Sequence, residues 1–140
     1  MTTTSNPLFA NIRVVELASM ILAPSAAVIL ADYGAEVIKI EPPKTGDLNR
    51  HWHKINGLPI SDMAYGFQVD NRNKKSVVLD LKTPAAYEAL CRIIREADVL
   101  ITNYRLKALD KLKLDYETIR ALNPRIIYAL ATGFGEKGDE

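Results

Sequence analysis

The densest group of side chains able to do chemistry is Asn71-Arg-Asn-Lys-Lys75, with Lys82 just beyond it. Cationic side chains beside backbone donors are the usual partners of phosphate. The same composition also describes a solvated basic loop ahead of an edge strand. Lys107, Lys111 and Lys113 form a second basic cluster, open to the same two readings. His51-Trp52-His53 alternates two imidazoles along a segment without clear periodicity. That spacing suits a metal, yet no third ligand accompanies it, and ordinary loop side chains account for it equally. Gly133-Phe-Gly135 follows an apolar run and offers a turn where backbone can approach a ligand closely. Several signatures are missing: G-x-G-x-x-G after the first strand, a Walker A loop, C-x-x-C and G-x-S-x-G. The one cysteine, Cys91, can form neither an internal disulfide nor a zinc site. It reads as a small buried hydrophobe in a reducing compartment.

Something must position these groups, and the apolar pattern says what. Ile12–Leu17, Glu36–Glu41, Ser76–Leu81, Val99–Thr102 and Arg125–Ala131 are short apolar runs that read as strands. Between the first two lies Ala23–Tyr33, with Pro24 suited to a first helical turn and Gly34 to a C-terminal cap. Its stretch Ala26–Ala31 is wholly apolar, which predicts a helix buried on most sides. Thr83-Pro84 opens a helix in which Tyr87, Leu90, Cys91 and Ile94 share one face. A short helix is expected over Tyr104–Lys113, and Asp115 caps another that closes at Asn123-Pro124. Residues 44–70 show no period and read as a long excursion over the surface. Residues 1–10 read as a flexible tail, and 11–140 as one lobe. Strands alternating with helices imply a parallel α/β sheet with helices on both faces. Ligands of such sheets sit past the carboxyl ends of the strands. Ala18–Leu22, Pro42–Asp47, Lys82, Asn103–Lys107 and Thr132–Lys137 would then share one rim.

Composition bounds the partners. Of 140 residues, 48% are hydrophobic and 25% charged, which suits one globular domain or one lobe of a larger one. The formal net charge is +1, so no global field draws in nucleic acid or an acidic membrane. Ile21–Ala31 is too short to span a bilayer, which needs roughly 20 apolar residues. No targeting segment is legible near the start, and a cytoplasmic protein is the expectation.

In order along the chain stand Ile12-Arg-Val-Val-Glu-Leu17, Leu22-Ala-Pro24, Leu30-Ala-Asp-Tyr-Gly-Ala-Glu-Val-Ile-Lys-Ile-Glu41 and Gly46-Asp47. Asn71-Arg-Asn-Lys-Lys-Ser76, Leu79-Asp-Leu-Lys82, Ala97-Asp-Val-Leu100, Asn103-Tyr-Arg105, Leu122-Asn-Pro-Arg125 and Gly133-Phe-Gly135 continue the series. Together they resemble the opening part of the class III (CaiB/BaiF-type) coenzyme A-transferases, a family that includes 2-methylacyl-CoA racemases. The resemblance implies a Rossmann-like lobe without the dinucleotide fingerprint, in an enzyme forming interlocked homodimers. It implies coenzyme A, as the acyl-CoA substrate, with a carboxylic acid as acceptor and no metal. In the transferases an aspartate attacks the thioester, and an aspartyl-CoA intermediate follows. That aspartate lies beyond the position matching Glu140, so no catalytic residue falls within these 140 residues and the chain is expected to be a part of the family fold, inactive alone.

By the same resemblance the turn Ser19, Met20, Ile21 and Leu22 lies along CoA. Leu79 and Lys82 match positions near the nucleotide, Asn103 and Tyr104 a pair contacting the cofactor, and Lys111 a position directed at phosphate. Ser19, Ala23, Pro42, Leu106-Lys107, Glu136 and Asp139 depart from the family's frequent residues. A CoA-ester racemase and a non-catalytic CoA-binding or assembly module are the alternative functions.

Overall fold

The computed structural model describes residues 7–54 and 62–135. Its strands are β1 (Arg13–Leu17), β2 (Glu36–Glu41), β3 (Lys75–Val78), β4 (Val99–Thr102) and β5 (Ile127–Leu130). They form a parallel sheet in the order β3-β2-β1-β4-β5. The expected doubly wound arrangement is therefore present. β3 and β5 are shorter than their apolar runs. After Val78 the chain keeps one more ladder bond, from Leu79 N–H to the Glu41 carbonyl, and then turns at Asp80.

The helices are α1 (Leu22–Asp32), α2 (Tyr65–Asn71), α3 (Pro84–Arg95), α4 (Leu106–Leu112) and α5 (Tyr116–Leu122). Thr83 caps α3 by accepting from the Ala86 N–H, and Asp115 caps α5 by accepting from the Thr118 N–H. Both caps satisfy amides that a helix start leaves unpaired. α1 ends at Gly34, whose φ of 101° is the left-handed conformation glycine supplies. A β-carbon there would also stand 2.3 Å from Pro7 Cβ. Residues 7–10 are tied down at this point: Phe9 N–H donates to the Tyr33 carbonyl, and the two rings meet edge-on. The last residues of the expected tail are thus anchored.

Two cores flank the sheet. Val14, Val37 and Ile101 pack with Ala23, Ala27 and Ala31 of α1. On the other face Val15, Leu17, Ile40 and Leu100 pack with Leu90, Ile94, Leu109, Leu114 and Ile119. The all-apolar stretch of α1 does not produce burial on most sides. Ala26 is exposed and Ile29 is 54% exposed, because one face of the helix, with Ala23, Ala27 and Ala31, meets the sheet.

The excursion at 44–70 is more ordered than its sequence suggests. Leu48–Lys54 forms a 3-10 segment and Tyr65–Asn71 forms α2, with Asp47, Asn49, Asp70 and Asn71 buried. These polar residues, not apolar ones, hold it in place. Ser25 of α1 donates to Asp70 at 2.8 Å, and Asn49 donates to the same carboxylate at 3.4 Å. Among the described residues no helix is long and apolar enough to cross a membrane.

Candidate functional site

The chain leaves β1 toward β2 on one side, whereas β4 returns to β1's other edge. The strand order therefore reverses between β1 and β4, which is where open α/β sheets leave a crevice. Asn103, just past β4, closes that point. Its amide nitrogen donates to the Ser19 carbonyl at 2.7 Å, and its oxygen accepts the Ser19 N–H at 3.1 Å. Thr102 adds a hydroxyl bond to the Leu17 carbonyl at 2.8 Å.

Met20 next to Ser19 has φ 70°, a left-handed conformation in a residue that is not glycine. Such backbone costs about 1–2 kcal/mol and persists only where neighbours over-determine it. Here Met20 N–H donates to Asp47 at 3.3 Å, and Asn49 donates to the Met20 carbonyl at 3.3 Å. Lys39 donates to the Ala18 carbonyl at 2.9 Å. The turn at 18–21 is thus held from below by side chains of β2, its following loop and the 3-10 segment.

Those side chains belong to a buried ionic network. Glu16 and Lys39 are direct cross-strand neighbours on β1 and β2, and their charged ends meet at 2.5 Å. Lys39 also lies 2.7 Å from Asp47 Oδ2, in an ion pair outside hydrogen-bonding geometry. Lys74 reaches the second Glu16 oxygen at 2.6 Å and the Pro24 carbonyl at 2.8 Å. Burial acts to lower the Lys39 ammonium, but Glu16 and Asp47 outweigh it and raise it overall. Burial wins at Lys74, whose ammonium is lowered despite Glu16. Beside them Glu41 pairs with Arg50 at 2.6 Å and accepts from Ser76 and the Asp47 N–H. Burial works to raise this carboxyl, yet these donors bring it down to about 2.

Two hollows lie along the same end of the sheet. One, of about 160 Å³, has Ile40, Leu79, Lys82 and Tyr104 among its walls, with Asp80 and the Arg50-paired Glu41. The next, of about 500 Å³, is lined by Lys82, Tyr87, Lys111 and Lys113. They share Leu81, Lys82 and Leu112, so they form one continuous cleft. Neither Lys82 nor Lys111 has a carboxylate partner among the described residues, so both charges are available to an anion. A third hollow, of about 560 Å³, is walled by Asp110, Asp115 and Glu117 and would repel one.

The site residues expected from sequence fall into two groups. Leu79, Lys82, Tyr104 and Lys111 line the cleft. Ser19, Met20 and Asn103 make the clamped turn, while Ile21 and Leu22 lie exposed at the start of α1. The run 71–75 largely follows the reading of a solvated basic loop ahead of an edge strand, with Lys74 the exception. Arg72 and Asn73 engage Asp32, Lys75 engages Glu36, and Lys74 is buried against Glu16. Arg72 and Lys75 pair at the surface, and Lys74 alone is taken into the interior. Lys107 is exposed and outside the cleft walls. His51 contacts the Thr45 carbonyl at 2.9 Å, and His53 lies outside the described side chains. Phe134, in the glycine turn, is 89% exposed. Sequence alone singles out none of Glu16, Lys39 and Asn49, and it places Asp47 only on the rim. For Glu16 and Lys39 the signal was available: charges in the middle of apolar parallel strands, buried on both faces, must be paired.

Comparison with known proteins agrees with this architecture. The family model described as CoA-transferase family III matches residues 9–140. A succinate–glutarate CoA-transferase from Agrobacterium fabrum is 44% identical, over 94% of this chain and 34% of that protein. A cinnamoyl-CoA:phenyllactate CoA-transferase from Clostridium sporogenes is also 44% identical, over 95% of this chain and 32% of its own length. The chain thus spans about a third of these relatives. A crystal structure of a CaiB/BaiF family protein from Brucella suis superposes with a TM-score of 0.83 at 41% identity, covering 92% of this chain and 34% of that one. A matching fold, a matching sequence over nearly every residue and a common set of relatives lead to one assignment: the chain belongs to CoA-transferase family III.

Proposed function

We propose that this chain is the coenzyme A-binding lobe of an enzyme that moves CoA between an acyl-CoA thioester and a carboxylic acid. The observation that carries the reading is the cleft in which Lys82 and Lys111 stand without carboxylate partners. A CoA nucleotide carries several phosphate charges, and unpaired lysines beside an apolar wall of Leu79, Leu81 and Tyr104 suit both its charge and its base. The clamped turn at Ser19–Leu22 lies at the same end of the sheet and suits the extended part of the ligand. Asn103 serves this turn, and Tyr104 the cleft. The relatives named above are CoA-transferases, which supports transfer over racemisation. An aspartyl-CoA intermediate would use a nucleophile in the part of the family sequence beyond position 140. The reading gives residues 1–140 no catalytic residue and needs no metal. It includes a homodimer of the full-length form and a reducing cytoplasm, to which the buried thiol of Cys91 is suited.

Calorimetric titration with coenzyme A tests the reading. Binding is expected, and Lys82→Ala should weaken it by about 1–3 kcal/mol, the range for a lost charge-assisted contact. Absence of CoA binding by the unaltered protein would remove the proposal. An unchanged affinity in the variant would remove Lys82 from the site.

A further inference from the structure

We infer that Asp47 is a positioning residue that fixes the Ser19–Met20 turn in the shape a ligand lies against. This rests on the CoA-binding reading above. Asp47 is 2% exposed and acts from beneath the turn, not on the ligand itself. One carboxylate oxygen accepts both the Met20 N–H, at 3.3 Å, and the Asn49 N–H, at 2.9 Å. It thereby ties the turn after β1 to the segment that carries Asn49. Asn49 completes the grip by donating to the Met20 carbonyl at 3.3 Å. The other oxygen is held by Lys39 at 2.7 Å, and the Asp47 N–H is held by Glu41 at 2.8 Å. The carboxylate therefore cannot drift.

The loop reaches this position through Gly46, with φ 61°. A β-carbon there would stand 2.8 Å from the Glu41 carboxylate and 2.9 Å from Arg50 Cδ. The result is an unusual balance. Met20 adopts a backbone shape that its own side chain disfavours, and buried neighbours enforce it. Strain of this kind, held by an over-built support, is characteristic of ligand-contacting turns. Without Asp47, Met20 would relax to ordinary negative φ and carry the Ser19 and Met20 backbone away from its present place.

The test combines coenzyme A titration with amide hydrogen exchange at Met20, in the unaltered chain, Asp47→Asn, Met20→Gly and the double variant. Glycine adopts positive φ without the steric penalty of a side chain. Asp47→Asn should speed Met20 exchange and weaken CoA about tenfold, the loss expected for a charge-assisted hydrogen bond. In the Met20→Gly background the same substitution should weaken CoA only slightly. A purely structural Asp47 would cost affinity equally in both backgrounds, and that outcome overturns the inference. So does wild-type affinity with wild-type exchange in Asp47→Asn. Should Asp47→Asn not fold, Met20→Pro decides, since proline fixes φ near about −65° and forbids the turn. Retained CoA affinity in that variant would refute the proposal. Failure of the unaltered chain to bind CoA would instead strike the functional reading, while the exchange data still decide whether Asp47 holds the turn.

Discussion

The two faces of the sheet are built from different materials. Under α3, α4 and α5 the contacts are leucine and isoleucine: Leu90, Ile94, Leu100, Leu109, Leu114 and Ile119. Under α1 the apolar contacts are mostly small, alanines with Val14, Val37 and Ile101, and beside them lie the buried charges of Glu16, Lys39 and Glu41 with their partners. Aliphatic burial is non-directional and tolerates small shifts. Ion pairs and hydrogen bonds fix atoms to within tenths of an ångström. The left-handed turn at Met20, one of four such non-glycine positions among the described residues, stands on the second material. One face supplies cohesion, and the other supplies placement.

Substitutions on each side should separate these roles. The largest effect is expected at Lys39. Lys39→Met strips Asp47 of its cation and Glu16 of one of two, and leaving buried carboxylates underpaired should cost about 4 kcal/mol in urea unfolding. The folded variant should also bind CoA more weakly, and an unchanged affinity would break the contrast. On the aliphatic face, Leu90→Ala should cost about 3.5 kcal/mol through lost burial and a residual cavity. Calorimetry should nevertheless find CoA affinity unchanged in the folded protein. A weakened affinity there would show that both faces control the turn.

The smallest effect is acid-dependent. Glu41 falls from an ordinary 4.5 to about 2 in the folded state. A depressed carboxyl adds stability above its unfolded value and loses it as pH drops through the folded one. About 3 kcal/mol should therefore disappear between roughly pH 4.5 and pH 2. Denaturant midpoints across that interval should fall steeply for the unaltered chain and more gently for Glu41→Gln. Parallel curves would mean that Arg50 does not stabilise the ionised form.

Much of this was legible in the residues themselves. β-branched runs located every strand, and Thr83-Pro84, Asp115 and Gly34 marked helix ends by local chemistry that needs no tertiary context. Lys82, Tyr104, Lys111 and Leu79 converge on a cleft although the resemblance placed them one by one. What failed depends on partners distant in sequence. In Tyr65–Asn71 the apolar Tyr65 and Val69 face solvent while Asp70 and Asn71 are buried, the reverse of an amphipathic pattern. No periodicity can find such a helix. Lys74 sits among exposed cations in sequence, and only the fold reveals that it meets Glu16.

The reciprocal amide bonds between Ser19 and Asn103 join residues 84 positions apart. β1, β2 and β3 can assemble in the order in which they are synthesised, but β4 must arrive before that clasp closes. During translation the amino-terminal half will therefore emerge with its turn half-fastened, until the polypeptide has left the ribosome well past Asn103. The fastening of that turn is among the later contacts the nascent lobe completes.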